Sequence, residues 1–370
     1  MIRDRRIPIN IITGFLGSGK TTLLNYWVKQ PAMKDCAVLI NEFGSVGIDH
    51  QLVRQVDNQV VLLESGCICC TLQNSLVNAL SDLLSKALRK EIPPFSRVLI
   101  ETTGMADPGS LVGLIEYEPF ISQRFRFDGT VTVVDGLNIR KQIKAQYEAV
   151  KQIALADLVL ISKSDLVDDE EYEEIEKVIS MLNPSVRVCK VLNGEQDPAI
   201  LSEIGPYNSG VDRDPKKINA WLATESASLG VASSVQPVKV SRVGMGAAKK
   251  QAISVHSNVA TFSMEFDEPL DADRIIRALE AVRMQYGDSL LRLKGILNLN
   301  VDPRPVVVHG VYGTISPLTT LDSWPDDRRC SRIVFIVRAM VREQIESLFR
   351  GVLLGDPAFS SFLEPEEANI

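Results

Sequence analysis

Cysteine is scarce in this chain: six among 370 residues. That is too few to staple a fold with disulfides. Long apolar runs are missing as well, and none approaches the roughly twenty residues a bilayer-crossing helix needs. Positive charge is in deficit, with 40 Lys and Arg against 47 Asp and Glu for a net charge of −7. The electrostatic footprint of a nucleic-acid partner is therefore absent. No repeat recurs at a fixed period, which excludes a solenoid. Arg3, Arg5 and Arg6 could open a secretory leader, but Pro8, Asn10 and Gly14 break the apolar stretch behind them and no small-residue cleavage site follows. A cytoplasmic protein with no membrane partner is expected. The hydrophobic content of 45% leaves ample material for a core, and the length favours two domains over one.

What is present is concentrated in Gly14-Phe15-Leu16-Gly17-Ser18-Gly19-Lys20-Thr21-Thr22, a full match to the phosphate-loop pattern GxxxxGK[ST]. An apolar run at 7–12 reads as a buried strand before it, and 22–28 reads as a helix start after it. This is the context the motif requires. Glycines at 14, 17 and 19 let successive backbone N–H groups wrap around phosphate oxygens, and the helix adds its positive end. Ser18 and Thr22 lie within the same cradle. Lys20 would reach the β- and γ-phosphates, as a catalytic cation, and the Thr21 hydroxyl would ligate Mg²⁺.

Apolar runs at 7–12, 37–40, 60–63, 98–100, 130–134, 158–161 and 186–191 alternate with helical patterns such as 72–88 and 170–182. This predicts an α/β P-loop NTPase domain over 1–205, with a mostly parallel sheet covered on both faces. The acidic run 168–171 reads as the solvated first turn of a helix. Residues 206–254 are poor in bulky apolar side chains and read as a linker, with one short helix near 218–222. A smaller α+β domain is expected over 255–370. Its strands are predicted at 261–266, 290–299, 305–311 and 333–337, with helices from an Asp271 cap to Met284 and over 342–353.

Four further segments suit a nucleotide switch. Ser162-Lys163-Ser164-Asp165 ends a strand where GTPases carry [NT]KxD. The Asp165 carboxylate would accept from guanine N1–H and its amine, and the Lys163 stem would pack on the purine. Ser162 replaces the usual Asn or Thr. Glu101-Thr102-Thr103-Gly104 ends another strand: Glu101 would hold Mg²⁺ through water or position the attacking water, and Gly104 would offer its N–H to the γ-phosphate. Asn41-Glu42-Phe43-Gly44 follows a third strand, with Glu42 a candidate to ligate metal or orient water; a simple loop is the alternative. Cys67-Ile68-Cys69-Cys70 places three thiols within four residues, a donor set suited to Zn²⁺ and also to Co²⁺ or Cu⁺. The alternative is a Cys67–Cys70 disulfide, since adjacent Cys69 and Cys70 pair poorly. Water, Glu42 and His50 are candidates for a fourth ligand. Cys36, Cys189 and Cys330 read as small core residues; His256 and His309 read as structural histidines, with a ligand role as the weaker alternative.

Together GFLGSGKTT, NEFG, GCICC, ETTGMADPG and SKSD resemble, in order and spacing, the CobW family of metal-associated P-loop GTPases. The segment 101–109 most resembles its YjiA-like branch. The likeness covers the first domain almost completely and extends faintly to Leu291-Arg292-Leu293-Lys294-Gly295 and Val334-Phe335-Ile336. It implies GTP hydrolysis to GDP, coupled to handling a transition metal for a client metalloprotein. It also implies that Cys70 lies beside the nucleotide and touches both. Ser45 and Ile40 stand where some members carry Glu, which removes carboxylates from auxiliary metal sites. The three histidines exclude the family's histidine-rich metal store. Two rival readings are a P-loop small-molecule phosphotransferase, which would prefer ATP, and a GTP-dependent assembly factor with incidental metal. Edge strands in the second domain would permit a homo-oligomer.

Overall fold

Six apolar runs of the first half pair side by side in parallel. They are β1 (Ile7–Thr13), β2 (Cys36–Ile40), β3 (Arg97–Glu101), β4 (Phe125–Asp135), β5 (Leu158–Ser162) and β6 (Arg187–Lys190), in the order β2-β3-β1-β4-β5-β6. The computed structural model describes residues 5–40, 72–104, 107–204, 238–239, 259–338 and 341–362. The expected strand at 60–63, the helix near 218–222, the 41–44 segment, His50, the 67–70 cysteine run and His256 lie outside the described residues. The described residues fall into two compact units, within the bounds Met1–Ser180 with Val186–Pro206, and Met181–Ser185 with Tyr207–Ile370.

In the first unit, helices α1 (Lys20–Trp27), α2 (Leu72–Leu88), α3 (Pro108–Tyr117), α4 (Pro119–Ser122), α5 (Ile139–Ala145), α6 (Tyr147–Leu155) and α7 (Asp169–Leu182) alternate with the strands. Neighbouring strand residues point to opposite faces. Ile11 and Ile12 are both fully buried, as are Leu158 and Val159, so both faces of the sheet are covered. Ile12, Leu99, Val131 and Leu160 face Leu23, Leu24 and Trp27 of α1 in one cluster. The acidic run does form the first turn of α7, where Asp168 Oδ1 accepts from Glu171 N at 2.8 Å. Parallel pairing has a functional consequence: every strand ends at the same edge of the sheet. Ile12 lies beside Glu101, and Asp135 beside Ser162. The segments that follow these strands therefore converge where ligands bind to open α/β sheets.

The second unit holds a mostly antiparallel sheet of β7 (Val238–Lys239), β8 (Val259–Phe266), β9 (Leu290–Leu299), β10 (Asp302–Val311), β11 (Thr314–Ile315), β12 (Thr319–Thr320) and β13 (Ser331–Arg338). Helices α8 (Ala272–Tyr286) and α9 (Arg342–Leu354) bury Ile275, Leu279, Ile345 and Phe349 against Leu293, Val308, Phe335 and Phe262. Phe335 stacks on Phe262 at 5.0 Å and meets Phe349 edge-on at 5.3 Å. Asp271 caps α8 by accepting from Arg274 N at 3.0 Å, as its sequence position predicts. No helix among the described residues is long and apolar enough to cross a membrane.

Candidate nucleotide site

Between β1 and α1 the chain turns through three residues of positive φ, Gly14 (144°), Gly17 (74°) and Gly19 (95°). Gly14 has no room for a side chain: an added Cβ would stand 2.1 Å from Val133 O. The loop is thus pressed onto β4, and α1 begins at Lys20 with its first N–H groups turned toward the loop. Lys20 is nearly buried, and its Nζ donates to Gly14 O at 2.9 Å and Phe15 O at 3.3 Å. The ammonium thus lies across the loop's own carbonyls. Ser18 is fully buried, and its Oγ has no hydrogen-bond partner among the described residues. Thr22 is exposed, and the backbone of Gly194 packs against it.

Glu101 reaches the loop from the neighbouring strand. Its Oε1 accepts from Thr21 Oγ1 at 3.3 Å, and the residue is only 6% exposed. Thr102 fastens the end of β3 to β1, through its N–H to Ile12 O and its hydroxyl to Thr13 Oγ1, both at 2.9 Å. Gly104 abuts the loop so closely that a Cβ there would stand 2.6 Å from Leu16 N.

The 162–165 segment is tied to the same loop. Ser162 Oγ lies 2.6 Å from Ser18 O and 3.0 Å from Val134 O, so its one proton is shared between two carbonyls. Lys163 holds a positive φ of 55°, and its Nζ pairs with Asp135 Oδ2 at 2.7 Å. Asp165 is exposed. The structure therefore gathers Gly14, Gly17, Ser18, Gly19, Lys20, Thr21, Thr22, Glu101, Gly104, Ser162, Lys163 and Asp165 at one edge of one sheet. Glu42, Cys67, Cys69 and Cys70 lie outside the described residues.

The CobW/HypB/UreG nucleotide-binding domain matches residues 8–190, and the cobalamin synthesis protein CobW C-terminal domain matches 259–353. The zinc chaperone YjiA of Escherichia coli is 31% identical over 346 residues, 94% of this chain and 98% of its own. The chain belongs to the CobW family. A crystal structure of Zn(II)-bound YjiA GTPase from E. coli superposes on this CobW protein with a TM-score of 0.66 at 25% identity, covering 94% and 99% of the two chains. A zinc-regulated GTPase metalloprotein activator of Schizosaccharomyces pombe is 32% identical over 205 residues, 54% of this chain and 48% of its own. The family resemblance read from the motifs is thereby established, and with it the P-loop fold of the first domain.

Asp135 is the site residue that the sequence reading of this CobW chain misses. It is 3% exposed at the end of β4 and takes Leu137 N–H at 3.0 Å and Asn138 Nδ2 at 2.9 Å in addition to Lys163. Burial alone would raise its carboxyl. The hydrogen bonds and charge of Lys163, with Asn138 and the Leu137 N–H, overcome that and hold it below the ordinary aspartate value. Its only signal in the sequence is a carboxylate closing an apolar strand, the same signal that marks Glu101. Elsewhere, Cys36 and Cys330 are buried as expected, and burial pushes the Cys36 thiol up to about 12. Cys189 is only half-buried, being on the outermost strand β6. His309 is buried with Nδ1 3.0 Å from Ser316 Oγ, consistent with a structural residue.

Proposed function

We propose that this CobW-family protein binds GTP, hydrolyses it slowly to GDP, and uses the nucleotide state to govern delivery of a transition metal to a client metalloprotein. The observation that carries this reading is the convergence of Lys20, Thr21, Glu101 and the 162–165 segment at one sheet edge. Zinc is the leading cargo, because relatives that span 94% of the chain bear zinc in their names; cobalt suits the same donors. The cargo ligands are Cys67, Cys69 and Cys70.

The residues divide the chemistry among them. The phosphate loop aligns backbone N–H groups on the β- and γ-phosphates, and Lys20 leaves the Gly14 and Phe15 carbonyls to neutralise charge there. Thr21 Oγ1 and Glu101 Oε1 are hard oxygen donors 3.3 Å apart, a set that fits Mg²⁺, which supplies charge neutralisation on the phosphates when bound. Gly104 offers its N–H to the γ-phosphate. Asp165 accepts from guanine N1–H and its amine, an arrangement adenine cannot satisfy. No arginine finger stands among these residues, so intrinsic turnover is slow.

Thiolate zinc sites hold their metal with an apparent ~10 kcal/mol or more at neutral pH. Coupling between two sites is typically about 1–3 kcal/mol. Nucleotide turnover is therefore too weak to expel zinc into solution but strong enough to bias ligand exchange with a docked client. The test is nucleotide hydrolysis by the purified protein with and without one equivalent of Zn²⁺ or Co²⁺, beside an ATP control. GTP-selective turnover that shifts with metal supports the reading. ATP preference moves it to a phosphotransferase, and turnover indifferent to metal detaches the cysteines from the switch.

A further inference from the structure

A single helix holds both Gly104 and Asp107. Gln152 on α6 is 2% exposed and donates through Nε2 to Gly104 O at 3.2 Å. The residue before it, Lys151, pairs with Asp107 Oδ2. Asp107 is in turn the N-cap of α3, its Oδ1 accepting from Gly109 N at 3.0 Å. The helix that carries the grip is itself anchored: Thr132 Oγ1 on β4 donates to Gln152 O at 2.8 Å. Every residue of α6 from Ala149 to Leu155 is buried.

Packing alone does not account for this choice of side chains. A helix buried on all sides is served best by apolar residues, and an uncompensated ammonium there is strongly destabilising. A glutamine amide costs less but still needs partners. α6 carries both, side by side: the amide meets Gly104 and the ammonium meets Asp107. On its far side Gly104 meets the phosphate loop, where a Cβ would stand 2.6 Å from Leu16 N. Gly104 is therefore wedged between the loop and α6, with its carbonyl held by Gln152.

We infer that Gln152 and Lys151 are positioning residues for the γ-phosphate. They fix Gly104 and Asp107, so the Gly104 N–H is set against the phosphate loop where a third phosphate arrives and a diphosphate has nothing to offer. Neither side chain touches the nucleotide; both act through Gly104 and Asp107. This rests on the proposed reading in which Gly104 meets the γ-phosphate.

The test uses full-length Gln152→Met, Lys151→Met and the charge-balanced pair Asp107→Asn with Lys151→Met. Affinities for GDP and a non-hydrolysable GTP analogue are measured beside turnover. GDP affinity stays unchanged, while the triphosphate-to-diphosphate affinity ratio and kcat each fall by about tenfold or more, as misplacement of a positioned group predicts. Lys151→Arg, which keeps the charge, restores both. Folded variants whose ratio and kcat match wild type would overturn the inference, because a merely structural role lowers Tm without moving the ratio. If Lys151→Met fails to fold, the paired variant carries the measurement, since it strands no charge and Asn still caps α3. Wild-type preference for ATP would sink the GTPase reading by itself; the ATP-to-ADP ratio of the same variants would then decide the positioning role.

Discussion

Lys163 Nζ lies 2.7 Å from Asp135 Oδ2, so the side chain expected to lie along the purine is aimed by a carboxylate from the adjacent strand. Asp135→Asn keeps the size of the side chain and removes its charge. GTP and GDP affinities should fall together by about tenfold, with kcat at saturation unchanged, because the purine contacts are the same in both nucleotides. Calorimetric titration with each nucleotide checks this, and a loss confined to GTP would contradict it. A pH dependence follows from the same carboxyl. Its folded pKa is held below its unfolded value, so its stabilisation is fully present above the unfolded value and lost as the pH falls through the folded one. The wild-type advantage over Asp135→Asn in urea unfolding should be constant near neutrality and shrink below about pH 4.

Asp165 stands exposed, three positions after Ser162. Xanthine carries a carbonyl where guanine carries its exocyclic amine. An Asn amide can donate to that carbonyl, whereas a carboxylate can only accept. Asp165→Asn should therefore exchange preference for GTP for preference for XTP, with discrimination of at least about tenfold from one unpaired polar group. Competition between the two nucleotides measures it. A variant that still prefers GTP would remove Asp165 from base recognition.

Glu101 Oε1 accepts from Thr21 Oγ1, the hydroxyl assigned to Mg²⁺, so the two groups act as one unit. Glu101→Gln retains a hydrogen-bonding partner for Thr21 and loses the negative charge. GDP binding should persist while Mg²⁺-dependent turnover falls by about a hundredfold, the scale of losing one electrostatic group at a reacting phosphate. Single-turnover hydrolysis across a Mg²⁺ titration separates the effects. Normal turnover would show that the carboxylate only fastens the loop.

The convergence of the phosphate loop with the 101–104 and 162–165 segments is legible in the sequence because each ends an apolar run, and parallel strands share one carboxyl edge. Ser162 fits the [NT]KxD register for a reason now visible: its hydroxyl reaches Ser18 O and so keeps the tie to the phosphate loop. Strand order is not legible. The pairing of β4 with β5 that brings Asp135 to Lys163 is a non-local event, and no local pattern encodes it. The length of β4 is also hidden. The apolar run covers only 130–134, yet the strand spans Phe125–Asp135. The polar residues that interrupt the pattern satisfy one another, with Asp128 paired to Arg126 at 2.5 Å and to Arg97 at 2.9 Å. Burial still raises the Asp128 carboxyl despite those two arginines. Lys151 and Gln152 were hidden for the same reason, since charged and amide residues on a helix read as solvent-facing until their partners are known.

Cys67, Cys69 and Cys70 are the proposed donors for the metal cargo. A tetrahedral zinc site needs three protein donors before water or another ligand completes it. Removing the central thiol leaves two, and the metal should then bind more weakly by at least about tenfold. Cys69→Ala should show that loss against a chromophoric chelator under reducing conditions, which exclude a Cys67–Cys70 disulfide as the cause. GTP affinity in the absence of metal should be unchanged, because Lys20, Thr21 and Asp165 are untouched. Equal zinc affinity in the variant would place the metal elsewhere in the chain. A fall in metal-free GTP affinity would mean that the run is part of the nucleotide pocket itself, and the coupling between cargo and switch would then be direct contact.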